Sequence, residues 1–349
     1  MIQIEVQAER NYFIEVGSNW TDSLTSILEQ HSRVIIFAPQ YIAQTFALSK
    51  FSSERVILHI LPEGEEQKSF RQFEKALDEC GEAGLTRSDA IIAIGGGATT
   101  DFAGFVAASW LRGIAWYAIP TTLAAMVDAS IGGKTGINSV HGKNLIGAFY
   151  SPTAVFIDLS FLDRLSDRDF SAGLAEVIKT GFIGELRILE ILEKAADLSA
   201  LRLVAGELIN LSAAFKARIV SGDFREGKLR EILNYGHTLG HAIEKAENFQ
   251  FRHGEAVSIG LVFAAELSTI TSELSSEIVS LHRSLLSRFG LPTTYKRAAL
   301  PELIESMRGD KKARGDRMRF IGIEAIAKPV WLESVTIDEI TSAYGRISS

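Results

Sequence analysis

The sequence is poor in cysteine and has no excess of positive charge. Cys80 is the only cysteine among 349 residues, which excludes an internal disulfide and a zinc site built from cysteines. Its context, FEKALDECGEAG, predicts a small packing residue near the end of a helix. The 43 acidic residues outnumber the 36 lysines and arginines, giving a net charge of -7. This balance argues against a broad nucleic-acid-binding surface but is compatible with a small basic pocket for an anion.

Long apolar runs and leader-like segments are also missing. No uninterrupted run of about 18 apolar residues occurs. Met1 leads directly into the alternating stretch IQIEVQAERNYFIEV, with no basic start followed by an apolar run. We therefore expect a cytoplasmic protein that binds neither membranes nor nucleic acids.

Chain length and hydrophobic periodicity predict two domains. A chain of 349 residues exceeds the size at which one hydrophobic core usually keeps growing. The alternating start predicts two short strands, and nearly continuous apolar strands follow at 33–39, 55–61, 89–97, 114–120 and 154–160. Helical patterns between several of them indicate a mostly parallel sheet covered on both faces. From about residue 161 helical periodicity dominates, and only 318–324 reads as a strand. We expect an α/β nucleotide-binding domain at 1–160 and a mainly α-helical domain at 161–349, with ligands in the cleft between them.

Three consecutive glycines follow the strand predicted at 89–94. Gly95, Gly96 and Gly97 would let a phosphate approach the backbone, and a helix beginning near Thr100 or Asp101 would offer free N–H groups. The spacing differs from the common G-x-G-x-x-G pattern. Phosphate binding is favoured over a merely tight turn.

The segment DASIGGKTGINSVHGKNLIG (128–147) has five glycines bracketing two lysines, Lys134 and Lys143. A solvated loop is the alternative, but this composition favours a backbone folded closely around an anion.

Farther on, Glu176 and Lys179 are spaced i,i+3 among small and apolar residues. Such surroundings favour a pocket over a solvated ion pair.

The stretch NYGHTLGHAIE places His237 and His241 four residues apart on a predicted helix. The pair alone leaves a metal site, a proton relay and a structural role open, and it lacks the glutamate of an H-E-x-x-H helix. Arg230 and Asn234 precede it at i, i+4, i+7, i+11 spacing, which predicts one polar helical face directed at a ligand. Here the functional interpretation is favoured.

Together these segments resemble the 3-dehydroquinate synthases, members of the sugar-phosphate cyclase family. The resemblance runs from EGEEQK at 63–68 to GDKK at 309–312. Its densest parts are GGGATTDFAGFVAASWLRG, IPTTLAAMVDASIGGKTGIN, GKNLIGAF, GLAEVIKTG, LNYGHTLGHAIE and HGEAVSIG. The chain departs from the family pattern at FAPQYI, near the expected adenosine site, and at LDRLS after the domain junction.

The resemblance implies NAD in the first domain and a divalent metal, zinc or alternatively cobalt, in the second. The implied metal ligands are Glu176, His237 and His253. The implied NAD-binding residues are Glu65, Lys68, Gly95, Gly96, Gly97, Asp101, Thr121, Thr122 and Lys143. The implied substrate-binding residues are Arg112, Asp128, Lys134, Asn144, Lys179, Lys216, Arg230, Asn234, His241, Lys311 and Lys312. Of these, Lys134, Lys179, Lys216, Arg230, Asn234 and His241 are implied to be catalytic. The family's equivalent of Arg112 reaches a neighbouring subunit, which implies a homodimer.

The implied substrate is a small sugar-acid phosphate, 3-deoxy-D-arabino-heptulosonate 7-phosphate. It would become 3-dehydroquinate in the shikimate pathway of aromatic amino-acid biosynthesis. In the implied mechanism NAD oxidises a ring hydroxyl at the metal, phosphate leaves by β-elimination, NADH returns its hydride, and an intramolecular aldol step closes the carbocycle. NAD would be regenerated in each turnover, so the resemblance implies a phosphate-eliminating lyase without net redox change.

Other activities remain as alternatives. A related cyclase could act on sedoheptulose 7-phosphate, glucose 6-phosphate or an amino analogue. Lys216 and Arg230 favour a substrate with a carboxylate, which the first two sugars lack. A metal-dependent polyol dehydrogenase has a similar architecture but less need for so many cations. A retired cyclase that only binds NAD is disfavoured because the implied ligands are all present.

Overall fold

The computed structural model describes residues 1–248, 250–309 and 318–349. Its residues form two compact units. The first comprises residues 1–165 and 216–225, and the second comprises the described residues of 166–215 and 226–349.

The first unit is built on a seven-stranded, mostly parallel sheet, as predicted. The strands up to residue 157 are β1 (Ile2–Val6), β2 (Tyr12–Val16), β3 (Val34–Pro39), β4 (Val56–Leu61), β5 (Ala90–Gly95), β6 (Ala115–Pro120), β7 (Lys134–Ser139), β8 (Gly142–Phe149) and β9 (Ala154–Ile157). The sheet order is β1-β2-β9-β6-β5-β3-β4, in which only β1 and β2 pair antiparallel. Every residue of β3 and β5 is buried, as expected for central strands covered on both faces.

Four helices follow strands in this unit: α1 (Trp20–Gln30), α2 (Gln40–Thr45), α3 (Phe70–Glu82) and α4 (Gly97–Ser109). Side-chain caps satisfy free N–H groups at two of their starts. Asn19 accepts from the amides of α1, and Ser69 accepts from the amide of Gln72 in α3. Cys80 is buried in α3, where burial raises the pKa of its thiol to about 12, in keeping with a packing role.

The segment predicted as an anion-binding loop forms the antiparallel hairpin of β7 and β8. The predicted loop conformation was wrong, and anion binding by the segment stays a prediction. Its glycines serve the approach of the two strands. Gly136 pairs with Gly147, and a Cβ at Gly147 would lie 2.2 Å from the carbonyl oxygen of Thr135. Repeated glycine concealed the strand pattern because glycine lacks the side chain that makes alternation visible.

The chain after residue 165 is mainly helical, as predicted. Its helices are α5 (Asp167–Ile183), α6 (Leu186–Lys194), α7 (Leu198–Leu203), α8 (Ala205–Gly222), α9 (His237–Ala246), α10 (His253–Thr271), α11 (Ser276–Arg288), α12 (Leu300–Gly309) and α13 (Ile337–Ile347). The predicted strand is β10 (Met318–Ala325), and it pairs with β11 (Lys328–Val335), which was not predicted.

Helix α10 has the length and composition of a membrane span, with 19 residues and a mean hydropathy of 1.2. In the structure, 78% of that window is buried. Burial of this kind is typical of the central helix of a folded domain.

Candidate active site

Glu176, His237 and His253, the implied metal ligands, lie together in the second unit. Glu176 Oε1 is 3.4 Å from His237 Nε2 and 3.2 Å from His253 Nε2. Ligand atoms about 2.0–2.1 Å from a tetrahedral zinc ion are separated by about 3.3 Å. The donor spacing and the mixed oxygen and nitrogen donors therefore fit zinc, and also cobalt.

Glycines bring the three ligand-bearing helices into backbone contact. His253 is the first residue of α10, and a Cβ on the next residue, Gly254, would lie 1.7 Å from the carbonyl oxygen of Ala172 in α5. Farther along α10, a Cβ at Gly260 would lie 1.9 Å from the carbonyl oxygen of Gly236. Only glycine permits these approaches, which place the two histidines beside Glu176.

Each histidine is held from behind by a hydrogen bond to Nδ1. The partner is the backbone carbonyl of Tyr235 for His237, at 3.1 Å, and the buried carboxylate of Glu244 for His253, at 3.2 Å. Both Nε2 atoms are thereby directed toward Glu176. Such backing is the usual arrangement of metal-binding histidines.

The charges around the group favour a cation. Burial opposes the charge of Glu176, but Lys179 and His237 hold the pKa of its carboxyl well below its usual range. Burial and the charge of Lys179 lower the pKa of His237. Burial also opposes a charge on His253, yet Glu244 and Glu176 raise its pKa to about 10. Two carboxylates thus direct negative potential at this position.

Lys179 is buried beside the group, as its surroundings predicted. Its side chain and that of Glu176 are each 2% exposed and form an ion pair. The Lys179 ammonium also donates to the carbonyl of Leu233 at 2.8 Å. This pair is therefore part of a pocket interior and not of a solvated helix face.

His241 is exposed on α9, with its ring centroid 5.3 Å from that of His237 and 6.0 Å from that of His253. It falls outside the group around Glu176, although it forms a second candidate group with Glu244 and His253. Its implied role in substrate and proton handling stays a prediction.

The single polar helical face predicted from Arg230 to His241 was wrong. Arg230 and Asn234 lie on a separate 3₁₀ segment, Leu229–Asn234. Gly236, with a φ of 79°, interrupts the helical conformation before α9 begins. Arg230 is nonetheless buried, with 1% exposed. Asn234 donates to the carboxylate of Glu226 at 2.8 Å. Sequence reasoning missed Glu226, whose only local sign is its place in a polar turn.

In the first unit, the three glycines join β5 to α4. The helix begins at Gly97, earlier than the predicted Thr100 or Asp101. The backbone N–H of Thr121 donates to Gly95 O at 2.9 Å, and a Cβ at Gly96 would lie 3.3 Å from the methyl carbon of Thr122. The hydroxyls of Thr99 and Thr121 are buried without a hydrogen-bond partner among the described residues. These groups and the free helix N–H groups suit a phosphate of NAD.

Four other implied NAD residues gather beside α4. Lys68 Nζ donates to Asp101 Oδ2 at 2.6 Å and lies 3.6 Å from Glu65, which in turn lies 3.9 Å from Lys143. Burial opposes the charge of Lys68, but Asp101 and Glu65 raise its pKa. Asn144, implied to bind substrate, also accepts from Lys68.

The other implied substrate residues are not all brought together. Lys216 pairs with the carboxylate and the backbone carbonyl of Asp128 in the first unit. Lys134 is exposed at the start of β7, and Arg112 is exposed on the turn after α4. Lys311 and Lys312 lie outside the described residues.

Family comparisons cover most of the chain. The sequence model described as 3-dehydroquinate synthase N-terminal matches residues 58–172, and the one described as 3-dehydroquinate synthase C-terminal matches residues 173–313. A 3-dehydroquinate synthase of Streptomyces avermitilis is 46% identical over 96% of this chain and 94% of its own length. One of Corynebacterium diphtheriae is 45% identical over 100% of this chain and 99% of its own.

A solved structure is also similar over its full length. A 2-deoxy-scyllo-inosose synthase, complexed with carbaglucose-6-phosphate, NAD+ and Co2+, has a TM-score of 0.86 at 27% identity. The match covers 98% of this chain and 99% of that one. The two-part architecture described above is therefore shared with a cyclase.

Proposed function

The chain belongs to the 3-dehydroquinate synthase family, and we propose that it converts 3-deoxy-D-arabino-heptulosonate 7-phosphate into 3-dehydroquinate and phosphate. The observation that carries the proposal is the group of buried Glu176, buried His237 and half-buried His253, with Lys179 beside it. Three protein ligands leave a coordination position for substrate. A buried ammonium at the same place favours an anionic substrate.

The proposed enzyme is a lyase that depends on NAD and a divalent metal, zinc or cobalt. When bound, the metal polarises a substrate oxygen, and NAD accepts and later returns a hydride. The residues proposed to hold NAD surround the glycine turn and the Lys68–Asp101 pair. The buried hydroxyls of Thr99 and Thr121 have no hydrogen-bond partner in the described part of the chain, and a phosphate bound at the turn would supply one. The relative in complex with NAD+ and Co2+ supports both cofactors.

Buried cations support an acidic phosphate as the substrate. Lys179 and Arg230 in the second unit and Lys216 in the first are each at most 7% exposed. Lys179 and Lys216 each pair with one carboxylate, Glu176 and Asp128, and an ammonium has three donors, so each can also hold a substrate anion. We assign Lys179, Lys216, Arg230 and Asn234 to substrate binding and orientation, and His241 to proton handling at the exposed side.

The proposal includes a cytoplasmic homodimer. One buried thiol requires no oxidising compartment. Leu111, Arg112 and Gly113 have consecutive positive φ angles of 49°, 65° and 119°, which hold Arg112 outward on a strained turn. Backbone strain of this kind is retained where a side chain must be presented, here to a second subunit.

The test is phosphate release from three candidate substrates by the enzyme with NAD and zinc. We expect release from 3-deoxy-D-arabino-heptulosonate 7-phosphate that a chelator abolishes, and none from sedoheptulose 7-phosphate or glucose 6-phosphate. Release only from one of those sugars would reassign the substrate. A steady yield of NADH from a polyol would instead indicate a dehydrogenase.

A matched pair of variants tests the role of the cations. Lys216→Met should lower kcat/KM about 10- to 100-fold, since a charge-assisted hydrogen bond to a desolvated anion contributes about 1.5–3 kcal/mol. Lys75→Met removes the same charge from an exposed position of α3 and should leave kcat/KM unchanged. Equal effects of the two changes would contradict a direct role for Lys216.

A further inference from the structure

A buried histidine outside the candidate ligand group is linked to that group through Tyr235. His282, on α11, is 0% exposed. Its ring stacks on Phe182 of α5, with centroids 3.4 Å apart and planes at 12°. Its Nδ1 is 2.7 Å from the carbonyl oxygen of Ile278, and its Nε2 is 3.0 Å from the hydroxyl of Tyr235.

The partners of His282 determine which nitrogen carries the proton. A backbone carbonyl only accepts, so Nδ1 carries the hydrogen and donates it to Ile278. The Nε2 lone pair is then available, and the Tyr235 hydroxyl donates to it. Burial holds the ring neutral by lowering the pKa of His282 to about 3. His282 is therefore a fixed acceptor for the Tyr235 side chain.

The main chain of Tyr235 reaches the ligand group directly. Its carbonyl accepts from His237 Nδ1 at 3.1 Å, so the proton of His237 is on Nδ1 and the lone pair of Nε2 is directed at Glu176. The left-handed conformation of Gly236, with φ 79°, turns the Tyr235 carbonyl back toward the ring. A Cβ at Gly236 would lie 2.8 Å from the backbone nitrogen of Leu261, so the turn is closely confined.

We propose that His282 is a positioning residue for the metal. By anchoring the Tyr235 ring, it fixes the carbonyl that holds His237 in the Nδ1–H tautomer with Nε2 directed at Glu176. This inference rests on the proposed metal site. The other histidine, His253, has a charged carboxylate behind it, whereas His237 has a neutral carbonyl whose place depends on this anchor.

The test measures zinc affinity by competition with a chromophoric chelator, together with the visible spectrum of the cobalt-loaded protein. Tyr235→Phe keeps the ring and removes the hydroxyl. We expect zinc binding about 10-fold weaker and an altered cobalt spectrum, because loss of an outer contact of a metal ligand costs about 10–100-fold in affinity. His282→Leu should act in the same direction. His282→Gln, whose amide oxygen can accept from Tyr235, should restore most of the affinity.

The first unit supplies a matched control. Tyr117 makes the same contact there: its hydroxyl is 3.0 Å from His31 Nε2, and His31 Nδ1 is 2.7 Å from the carbonyl oxygen of Ser88. Tyr117→Phe should lower the unfolding temperature without changing zinc affinity or the cobalt spectrum. If Tyr235→Phe behaves in the same way, His282 is merely structural and the inference is overturned.

Glu176→Gln separates failure of the inference from failure of the metal site. If this change leaves zinc affinity unaltered, the proposed site is wrong and the inference falls with it. If Glu176→Gln weakens zinc binding and Tyr235→Phe does not, the site stands and only the role of His282 is rejected.

Discussion

In the first unit the ammonium of Lys68 is buried, and Asp101 is its closest charged partner. Lys68→Met should weaken NAD binding at least about 10-fold and reduce the free energy of unfolding by about 2 kcal/mol, because the partly buried carboxylate of Asp101 would lose its cation. Calorimetric titration with NAD and urea denaturation measure the two effects.

The same substitution at an exposed ion pair is the control. Lys296 is 69% exposed and pairs with Glu247. Lys296→Met should change the free energy of unfolding by less than about 0.5 kcal/mol, as is usual for exposed pairs. Unaltered NAD affinity in Lys68→Met would contradict the cofactor assignment.

His282 should make the protein sensitive to acid. Its pKa is lowered by burial from 6.5 to about 3, so the unfolded chain binds a proton at higher pH than the folded one. The stability it contributes is complete above about pH 6.5 and is lost as pH falls toward about 3. Between about pH 7 and about pH 5 the loss is about 2 kcal/mol.

Urea denaturation across that range tests this. His282→Gln has no proton to bind there, so its unfolding free energy should fall about 2 kcal/mol less than that of the wild type over the same interval. Parallel curves for the two proteins would show that His282 does not carry the acid sensitivity.

The sequence pointed to the candidate ligand residues more readily than to the residues that support them. Glu176 and Lys179 could be recognised as pocket residues because a charged pair among apolar neighbours is unusual. Tyr235 and His282 were not, since they are 47 residues apart in the chain and meet only through helix packing. Glu226 and Asn234 likewise meet across a turn without a recognisable motif.

At the scale of elements, the glycines of α10 decide where the ligand histidines lie. Gly260→Ala would place a methyl group 1.9 Å from the carbonyl oxygen of Gly236. We expect a loss of about 1–3 kcal/mol of stability from overpacking and weaker zinc binding, since the start of α9 must shift. Chemical denaturation and chelator competition measure these changes.

Gly345→Ala is the matched control, because a Cβ there meets nothing within 4 Å. In this helical position alanine should increase stability by about 0.5–1 kcal/mol. Equal outcomes for the two glycines would contradict the argument from close packing.

Elements with strong periodicity were predicted, and those shaped by tertiary contact were not. Apolar runs such as VIIFAP identified the parallel strands. The hairpin of β7 and β8 was missed because its glycines face one another across the pair. The interruption before α9 was missed because the helical spacing of polar residues from Arg230 to His241 continues across Gly236. The positive φ of Gly236 occurs where this glycine packs closely against α10.

For the whole molecule, the acidic net charge limits which anions can bind. Cations that are buried in an acidic protein, such as Lys179 and Arg230, favour binding of a compact anion over an extended polyanion. Full-length similarity to 3-dehydroquinate synthases agrees with that chemistry. The proposed enzyme transfers a hydride to NAD and takes it back in each turnover, which leaves no net oxidation.

The most direct test of this hydride cycle is the amount of phosphate released per NAD when the substrate, 3-deoxy-D-arabino-heptulosonate 7-phosphate, is in large excess over NAD. We predict many phosphates per NAD, an equal amount of 3-dehydroquinate and no accumulation of NADH absorbance. Phosphate release that stops at one per NAD, or NADH that rises in step with phosphate, would contradict the account.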